Sequence, residues 1–279
     1  MDEKFTITQQ QRLTELNFPE EELNRAFESR EERDKAFKEL EKEGVKRHRL
    51  HLEELLGIRH QTLAMELEKQ MEGWLMGEGF TRVATPAIIT RPMLERMTIT
   101  REHPLTEQVF WLDDKRCLRP MLAPNLYEVM RDLHRITRGP VRIFEAGSCF
   151  RKESQGAQHL NEFTMLNLVE LDGVAEGQQM DRLRQLATGA MEALGMDDYQ
   201  LVEEESEVYG ATLDIEVEGV EIASGAFGPH FLDEKWGIFQ PWVGIGFGIE
   251  RIAMIKGGYR TIKRVGKSIS FLDGSPLHL

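Results

Sequence analysis

The chain has 279 residues, 41% of them hydrophobic and 30% charged, which suits one large folded domain with a smaller appendage and excludes a disordered polypeptide. Its net charge of -13 at pH 7 argues against binding nucleic acid through a general positive field, while leaving room for a local basic strip. Two cysteines, Cys117 and Cys149, lack any metal-type spacing and are too few for a disulfide framework, so two reduced buried thiols are expected.

The Met-Asp-Glu-Lys-Phe start has no apolar signal core, and the apolar runs fall short of a membrane span, so a cytoplasmic protein without membrane attachment is expected. Residues 1–56 are dense in Glu, Lys and Arg and form a first, helical segment; residues 57–279 form a second domain. In the first, Asn17-Phe18-Pro19-Glu20-Glu21 reads as a cap followed by a helix with proline in its first turn. Ser29-Arg30-Glu31-Glu32 resembles a capping box opening another helix, with Phe37 and Leu40 on its apolar stripe. Two or three helices are expected, too thin to enclose a core of their own. Lys46-Arg47-His48-Arg49 is a basic cluster that, taken alone, reads as a solvated helix face before it reads as a binding strip.

From residue 60 the spacing of Leu63, Leu67, Met71 and Leu75 predicts an amphipathic helix to 78. Gly79-Phe80 ends it, and a strand runs toward Pro86. Residues 109–112 and 117–120, separated by Asp113-Asp114, predict a hairpin. A helix over 124–136 follows, then strands over 143–150 and 163–171, a helix over 176–194, strands over 199–204, 211–217 and 220–227, and a helix over 247–257. Strands without regular helical crossovers predict an α+β domain, a mostly antiparallel or mixed sheet flanked by helices.

Arg151 and Glu153 share one face if the strand continues through them, an arginine fork for phosphate or carboxylate beside an acceptor for an amine. Alone, the pair is as well explained by a surface ion pair. Gly244, Gly246 and Gly248 alternate along a strand and clear one face, so that a flat ligand or a second backbone can approach. Their spacing is not that of a dinucleotide-binding fingerprint.

Read in order, Gly79-Phe80-Thr81-Arg82-Val83-Ala84-Thr85-Pro86, Phe150-Arg151-Lys152-Glu153 and Gly244-Ile245-Gly246-Phe247-Gly248-Ile249-Glu250-Arg251 resemble the three signature motifs of class II aminoacyl-tRNA synthetases. Further segments resemble the pyrrolysyl-tRNA synthetase catalytic domain: Leu118-Arg119-Pro120-Met121-Leu122-Ala123-Pro124-Asn125-Leu126-Tyr127, His159-Leu160-Asn161-Glu162-Phe163-Thr164-Met165-Leu166-Asn167, Val208-Tyr209-Gly210 and Pro241-Trp242-Val243-Gly244. The resemblance spans roughly residues 60–279. Gln155-Gly156-Ala157-Gln158-His159 and His230-Phe231-Leu232-Asp233-Glu234-Lys235-Trp236 look most like the bacterial form, with a naturally truncated archaeal form as the alternative. In the bacterial form a separate basic protein supplies the N-terminal tRNA-binding domain.

The resemblance implies ATP-dependent activation of pyrrolysine, or a related acyl-lysine, and its transfer to a pyrrolysine suppressor tRNA by a homodimer. It makes Arg151, Glu153 and Arg251 catalytic. It lays His159, Leu160 and Phe163 along ATP and gives Mg²⁺ to Glu221 and Ser224, an oxygen-donor site sharing waters and phosphates. It lines the amino-acid cavity with Ala123, Leu126, Tyr127, Met130, Asn167, Val169, Tyr209, Ala226, Trp242, Gly244 and Gly246. Phe227 is bulkier than the resemblance leads one to expect and is anticipated to reshape the cavity floor. The N-terminal helices, with Lys46, Arg47 and Arg49, are expected to touch the tRNA body. A relative without catalysis and a synthetase for an aromatic amino acid are the rival readings.

Overall fold

A computed structural model describes residues 3–152, 156, 158–206 and 210–279. Residues 66–252 form one compact unit, and residues 1–65 with 253–279 form another.

The larger unit is built on a seven-stranded sheet. Its strands are numbered β1 (Thr81–Arg82), β2 (Val141–Phe150), β3 (Glu162–Leu171), β4 (Gln200–Ser206), β5 (Gly210–Val217), β6 (Val220–Gly228) and β7 (Trp242–Gly248). The order across the sheet is β1-β2-β3-β7-β6-β5-β4, parallel between β1 and β2 and antiparallel at the other pairings. The expected α+β class is therefore met, as a mixed sheet. The long strands fall where β-branched and aromatic residues alternate with small or polar ones, the pattern of a surface covered on both sides.

Register sorts the residues by face, because directly paired residues on antiparallel strands share a side. Glu145 pairs with Asn167 and Cys149 with Phe163. Asn167 pairs with Gly246 and Val169 with Gly244. Gly246 pairs with Ser224 and Gly244 with Ala226. These residues form one face, covered at one end by the Ala123–Thr137 helix, which packs on β2 and β3. The opposite face carries Leu166, Leu168, Val243, Ile245 and Phe247, all buried. The Gln179–Leu194 helix closes that side, burying Leu183, Leu186, Ala187, Ala190, Met191 and Leu194 at helical spacing. The predicted hairpin is present as a short antiparallel pairing: Trp111 bridges Cys117, the Leu112 N–H donates to the Arg116 carbonyl at 2.9 Å and the Leu118 N–H to the Phe110 carbonyl at 2.9 Å. Asp113 closes its turn by accepting the N–H groups of Lys115 and Arg116, and on its other edge strand Arg116–Leu118 pairs with Ile88–Thr90.

In the smaller unit the Ile7–Glu15 helix opens on a full capping box: Thr6 accepts from the Gln9 N–H at 3.2 Å, and the Gln9 side chain accepts from the Thr6 N–H at 3.0 Å. Pro19 itself is the cap of a single turn, Glu20–Leu23, rather than part of its first turn as expected. Ser29 caps the long Arg30–Glu54 helix as predicted, while the Glu32 carboxylate takes the Glu28 N–H instead of closing the box on Ser29. The expectation that this segment holds no core is corrected: Phe5, Leu13, Leu16, Phe18, Leu23 and Phe27 bury together, with Phe37 and Leu40 against them. Gly44 permits this, since a Cβ there would lie 2.9 Å from the Phe18 ring. The composition break at 56/57 falls inside the π-helical turn Leu55–Arg59. Arg264 contributes from the C-terminal stretch, donating to the carbonyls of Thr14 and Glu15 at 2.5 and 2.7 Å. Among the described residues no helix is long and apolar enough to cross a membrane.

Candidate active site

The β2–β3–β7–β6 face gathers the sequence-predicted residues. Its floor is glycine: a Cβ on Gly246 would meet the Asn167 amide at 3.0 Å, and one on Gly244 would meet the Leu168 carbonyl at 3.1 Å. Side chains are excluded there and a ligand can lie on the backbone.

At one end stand the charged groups. Arg251, two residues into the Ile249–Lys256 helix, donates to the Glu221 carbonyl at 2.8 Å, and its guanidinium is 3.6 Å from the Glu221 carboxylate. Partial burial pushes the Glu221 carboxyl above its usual value; Arg251 opposes this, Asp214 adds to it, and Arg151 also opposes it. Both predicted arginines thus act on the same carboxylate. Arg151 lies just beyond the end of β2, not within a continuing strand as expected. Its N–H bonds the Asn161 carbonyl at 3.0 Å, its Nε donates to the Pro120 carbonyl at 2.9 Å, and its guanidinium carbon sits 5.3 Å from the Phe163 ring centre.

Glu221 and Ser224 are three residues apart, yet they share a face. β6 carries one extra residue, Ile222, between its pairings Glu221 with Glu216 and Ala223 with Ile215, a β-bulge that resets the alternation. The Ser224 hydroxyl donates to Asp214 at 2.6 Å, which leaves its lone pairs directed elsewhere. A carboxylate and a hydroxyl oxygen fit a hard cation that keeps its waters. Among the described residues no three His, Cys, Asp or Glu side chains group as a metal cage.

At the other end the chamber wall is apolar. Leu126, Tyr127, Met130, Val169, Ala226 and Trp242 are buried in one cluster, with Ala123 and Phe163 packed against it. Tyr127 stacks on Trp236 with ring centres 5.2 Å apart and meets Trp242 edge-on at 5.6 Å. The Asn167 side-chain oxygen is buried with no hydrogen-bond partner, as is Nδ1 of His159, and an orphan of that kind calls for a ligand or a water. Leu160 lies beside His159, half-buried. Phe227 pairs with Val243 and so faces away from this chamber, which corrects the expectation that it reshapes the floor. Glu153 and Tyr209 lie outside the described residues.

Sequence reasoning missed a polar cluster beside the site, on the same sheet face. Arg119 and Glu145, each nearly inaccessible, pair at 2.7 Å. Thr85 donates its N–H and hydroxyl to Glu145 at 3.1 and 2.6 Å, and Asn125 donates to the Thr85 hydroxyl at 2.8 Å. Arg119 Nε also donates to the Ser148 carbonyl at 2.8 Å. The network ties the segment around Thr85 to β2 and to the start of the Ala123–Thr137 helix. It also sets Pro120, whose carbonyl holds Arg151. Cys117 and Cys149 are free and buried as expected, and burial pushes their thiols up to about 11 and about 12. In the smaller unit, Lys46 and Arg49 are exposed, Arg47 donates to the Leu16 carbonyl at 2.5 Å, and His48 is buried against Ser275 at 2.9 Å. His48 therefore drops out of the basic cluster.

Residues 52–274 match the family model of the class II core domain of tRNA synthetases. The chain belongs to the class II aminoacyl-tRNA synthetases. The crystal structure of pyrrolysyl-tRNA synthetase from Desulfitobacterium hafniense superposes with a TM-score of 0.94 at 49% identity, covering 100% of both chains. A second structure of a pyrrolysyl-tRNA synthetase from that organism gives 0.91 at 49% identity over 99% of this chain and 98% of that one. Within its class, the chain belongs to the pyrrolysyl-tRNA synthetase family. Curated relatives are more distant. An O-phosphoserine–tRNA(Cys) ligase of Methanococcus maripaludis is 23% identical over 76% of this chain and 42% of its own length. The phenylalanine–tRNA ligase alpha subunit of Lactobacillus johnsonii is 25% identical over 37% of this chain and 30% of its own. The chain thus spans less than half the length of these curated relatives.

Proposed function

We propose that this chain activates pyrrolysine, or an acyl-lysine like it, with ATP and transfers it to a cognate tRNA. The observation that carries the reading is one glycine-floored sheet face with two arginines acting on Glu221 at one end and a buried aromatic wall at the other. The attacking carboxylate is already an anion, so the first step needs no general base. Alignment and neutralised phosphate charge supply the rate. Arg151, steered by the Pro120 carbonyl, bridges the α-phosphate and the substrate carboxylate as the bond to phosphorus forms and pyrophosphate leaves. Arg251 holds the terminal phosphate, Glu153 accepts from the adenine amine, and Phe163 offers a face to the base.

Glu221 and Ser224 would hold Mg²⁺, which supplies charge neutralisation on the phosphates. The Asn167 amide meets the amide of the acyl-lysine side chain, and Tyr209 completes the polar contacts. Free lysine is refused because its ammonium would lose water without gaining a partner. Lys46 and Arg49 are proposed to meet the tRNA, a homodimer is the proposed working form, and a separate basic N-terminal protein is a proposed partner. Cytoplasmic location belongs to the same reading.

Pyrophosphate exchange tests it: exchange that depends on pyrrolysine or a bulky Nε-carbamate lysine is expected. A folded chain that exchanges with phenylalanine and with neither of these would replace the reading with that of an aromatic synthetase.

A further inference from the structure

Trp242 is 3% exposed, and a buried indole N–H needs an acceptor. It finds one in Asp233, whose Oδ2 lies 2.7 Å away. The same oxygen takes the His230 N–H at 2.5 Å, and the ring of Trp242 in turn meets Tyr127 edge-on. Asp233 is 1% exposed, and its second oxygen has no partner. The clasp needs Gly228, because a Cβ there would fall 2.0 Å from the Trp242 nitrogen and 2.4 Å from the carboxylate. Gly228 is itself fixed through its carbonyl, which accepts from Gln179 at 3.1 Å. Trp236, on the same aromatic wall, has a buried indole N–H with no partner, so burial on this wall does not by itself bring an indole to an acceptor.

We infer that Asp233 is a specificity-determining positioning residue: by gripping the Trp242 indole, whose ring meets Tyr127 edge-on, it fixes the spacing of the two rings that bound the amino-acid chamber, and so sets the side-chain bulk the enzyme accepts. Asp233 does not touch the substrate; it acts through the two rings. A carboxylate suits the task because one oxygen can accept several N–H donors at once. Its burial is tolerable because those donors surround it. The inference rests on the proposed acyl-lysine activity.

The test uses the full chain and four variants: Asp233→Ala, Asp233→Asn, Trp242→Phe and the Asp233→Ala/Trp242→Phe double variant. The probes are a lysine with a bulky Nε-carbamate and Nε-acetyl-lysine, assayed by pyrophosphate exchange, with the indole ¹H–¹⁵N resonance of Trp242 assigned by its loss in Trp242→Phe. In Asp233→Ala the preference for the bulky substrate is expected to fall about tenfold, through KM for the amino acid, with KM for ATP unchanged. The indole resonance shifts upfield, and Asp233→Asn, which keeps an acceptor, restores most of both. The double variant is no worse than the poorer single one, since both remove one contact.

An unmoved indole, equal losses for both substrates and ATP, or additive losses in the double variant would overturn the inference while leaving the functional reading intact. If Asp233→Ala does not fold, Asp233→Asn with an unmoved indole and altered selectivity overturns it equally. A wild-type chain that exchanges neither acyl-lysine removes the functional reading, and the inference goes with it.

Discussion

The two faces of the seven-stranded sheet are made from the same strands and are put to opposite uses. On one, Leu166, Leu168, Val243, Ile245 and Phe247 interlock with the Gln179–Leu194 helix. On the other, glycines stay bare, an amide oxygen of Asn167 is buried without a partner, and a carboxyl at Glu221 is held above its usual value. Stability is concentrated on the first face and unmet valence on the second, which is the arrangement expected when a site is carried by a rigid scaffold.

The largest test of that division is Arg119→Met. Arg119 lies on the working face, over Gly147 and Glu145, yet it is closed off from solvent, and its loss strands Glu145 without a counter-charge. A stability loss of about 3–5 kcal/mol is expected in urea unfolding, with exchange activity falling as well because Pro120 no longer steers Arg151. Next come Arg151→Ala and Arg251→Ala. Each should lose roughly 3 kcal/mol of transition-state stabilisation in pyrophosphate exchange, with the unfolding midpoint nearly unmoved; stability loss without activity loss in both would erase the division.

A matched pair sharpens it further. Leu186→Ala on the filled face should cost about 3 kcal/mol in unfolding and leave KM values alone. Gly246→Ala on the bare face should cost roughly 1 kcal/mol while raising KM for the amino acid, since the new methyl crowds Asn167. The smallest effect is a pH signature at Glu221. Its folded-state value is raised, so the folded chain binds this proton more tightly than the unfolded one. Its penalty is absent below the usual glutamate value and grows as pH climbs through the window up to the raised one. Glu221→Gln should therefore gain stability relative to wild type as pH rises through that window. In an Arg251→Ala background the same substitution should gain more, because the cation that opposes the upward shift is gone.

Much of this was legible beforehand, and the failures have physical reasons. The long strands and the Ala123–Thr137 and Gln179–Leu194 helices announce themselves through periodicity, and the glycine triplet through its alternation. The Ile7–Glu15 helix was missed although Thr6 and Gln9 stand at capping-box spacing, because so polar a segment shows no strong apolar stripe. Arg119 and Glu145 were missed because an isolated arginine and a glutamate 26 positions on usually face water, and only tertiary pairing buries them. Asp233 was passed over for a similar reason: an Asp-Glu-Lys run reads as a solvated turn, and nothing local says that its first carboxylate points at the Trp242 indole. The hairpin around Asp113 was legible from its turn residues, but the second pairing of its return strand, with Ile88–Thr90, was not, because nothing local marks a partner 28 positions upstream.

The extra residue at Ile222 has a consequence for how this strand tolerates change. Two positions an odd number of steps apart act as if they were an even number apart, so everything from Ala223 onward is in the opposite phase to an uninterrupted strand. Removing that one amino acid would straighten the ladder and leave Glu221, Ser224 and Ala226 on the same side, whereas regular pairing with Ile222 kept in line would send Ser224 and Ala226 into the packed side and Ala223, Gly225 and Phe227 out over the ligand. The ligand-facing groups of this strand therefore withstand the loss of Ile222 itself and depend, while it is present, on its being looped out of the ladder.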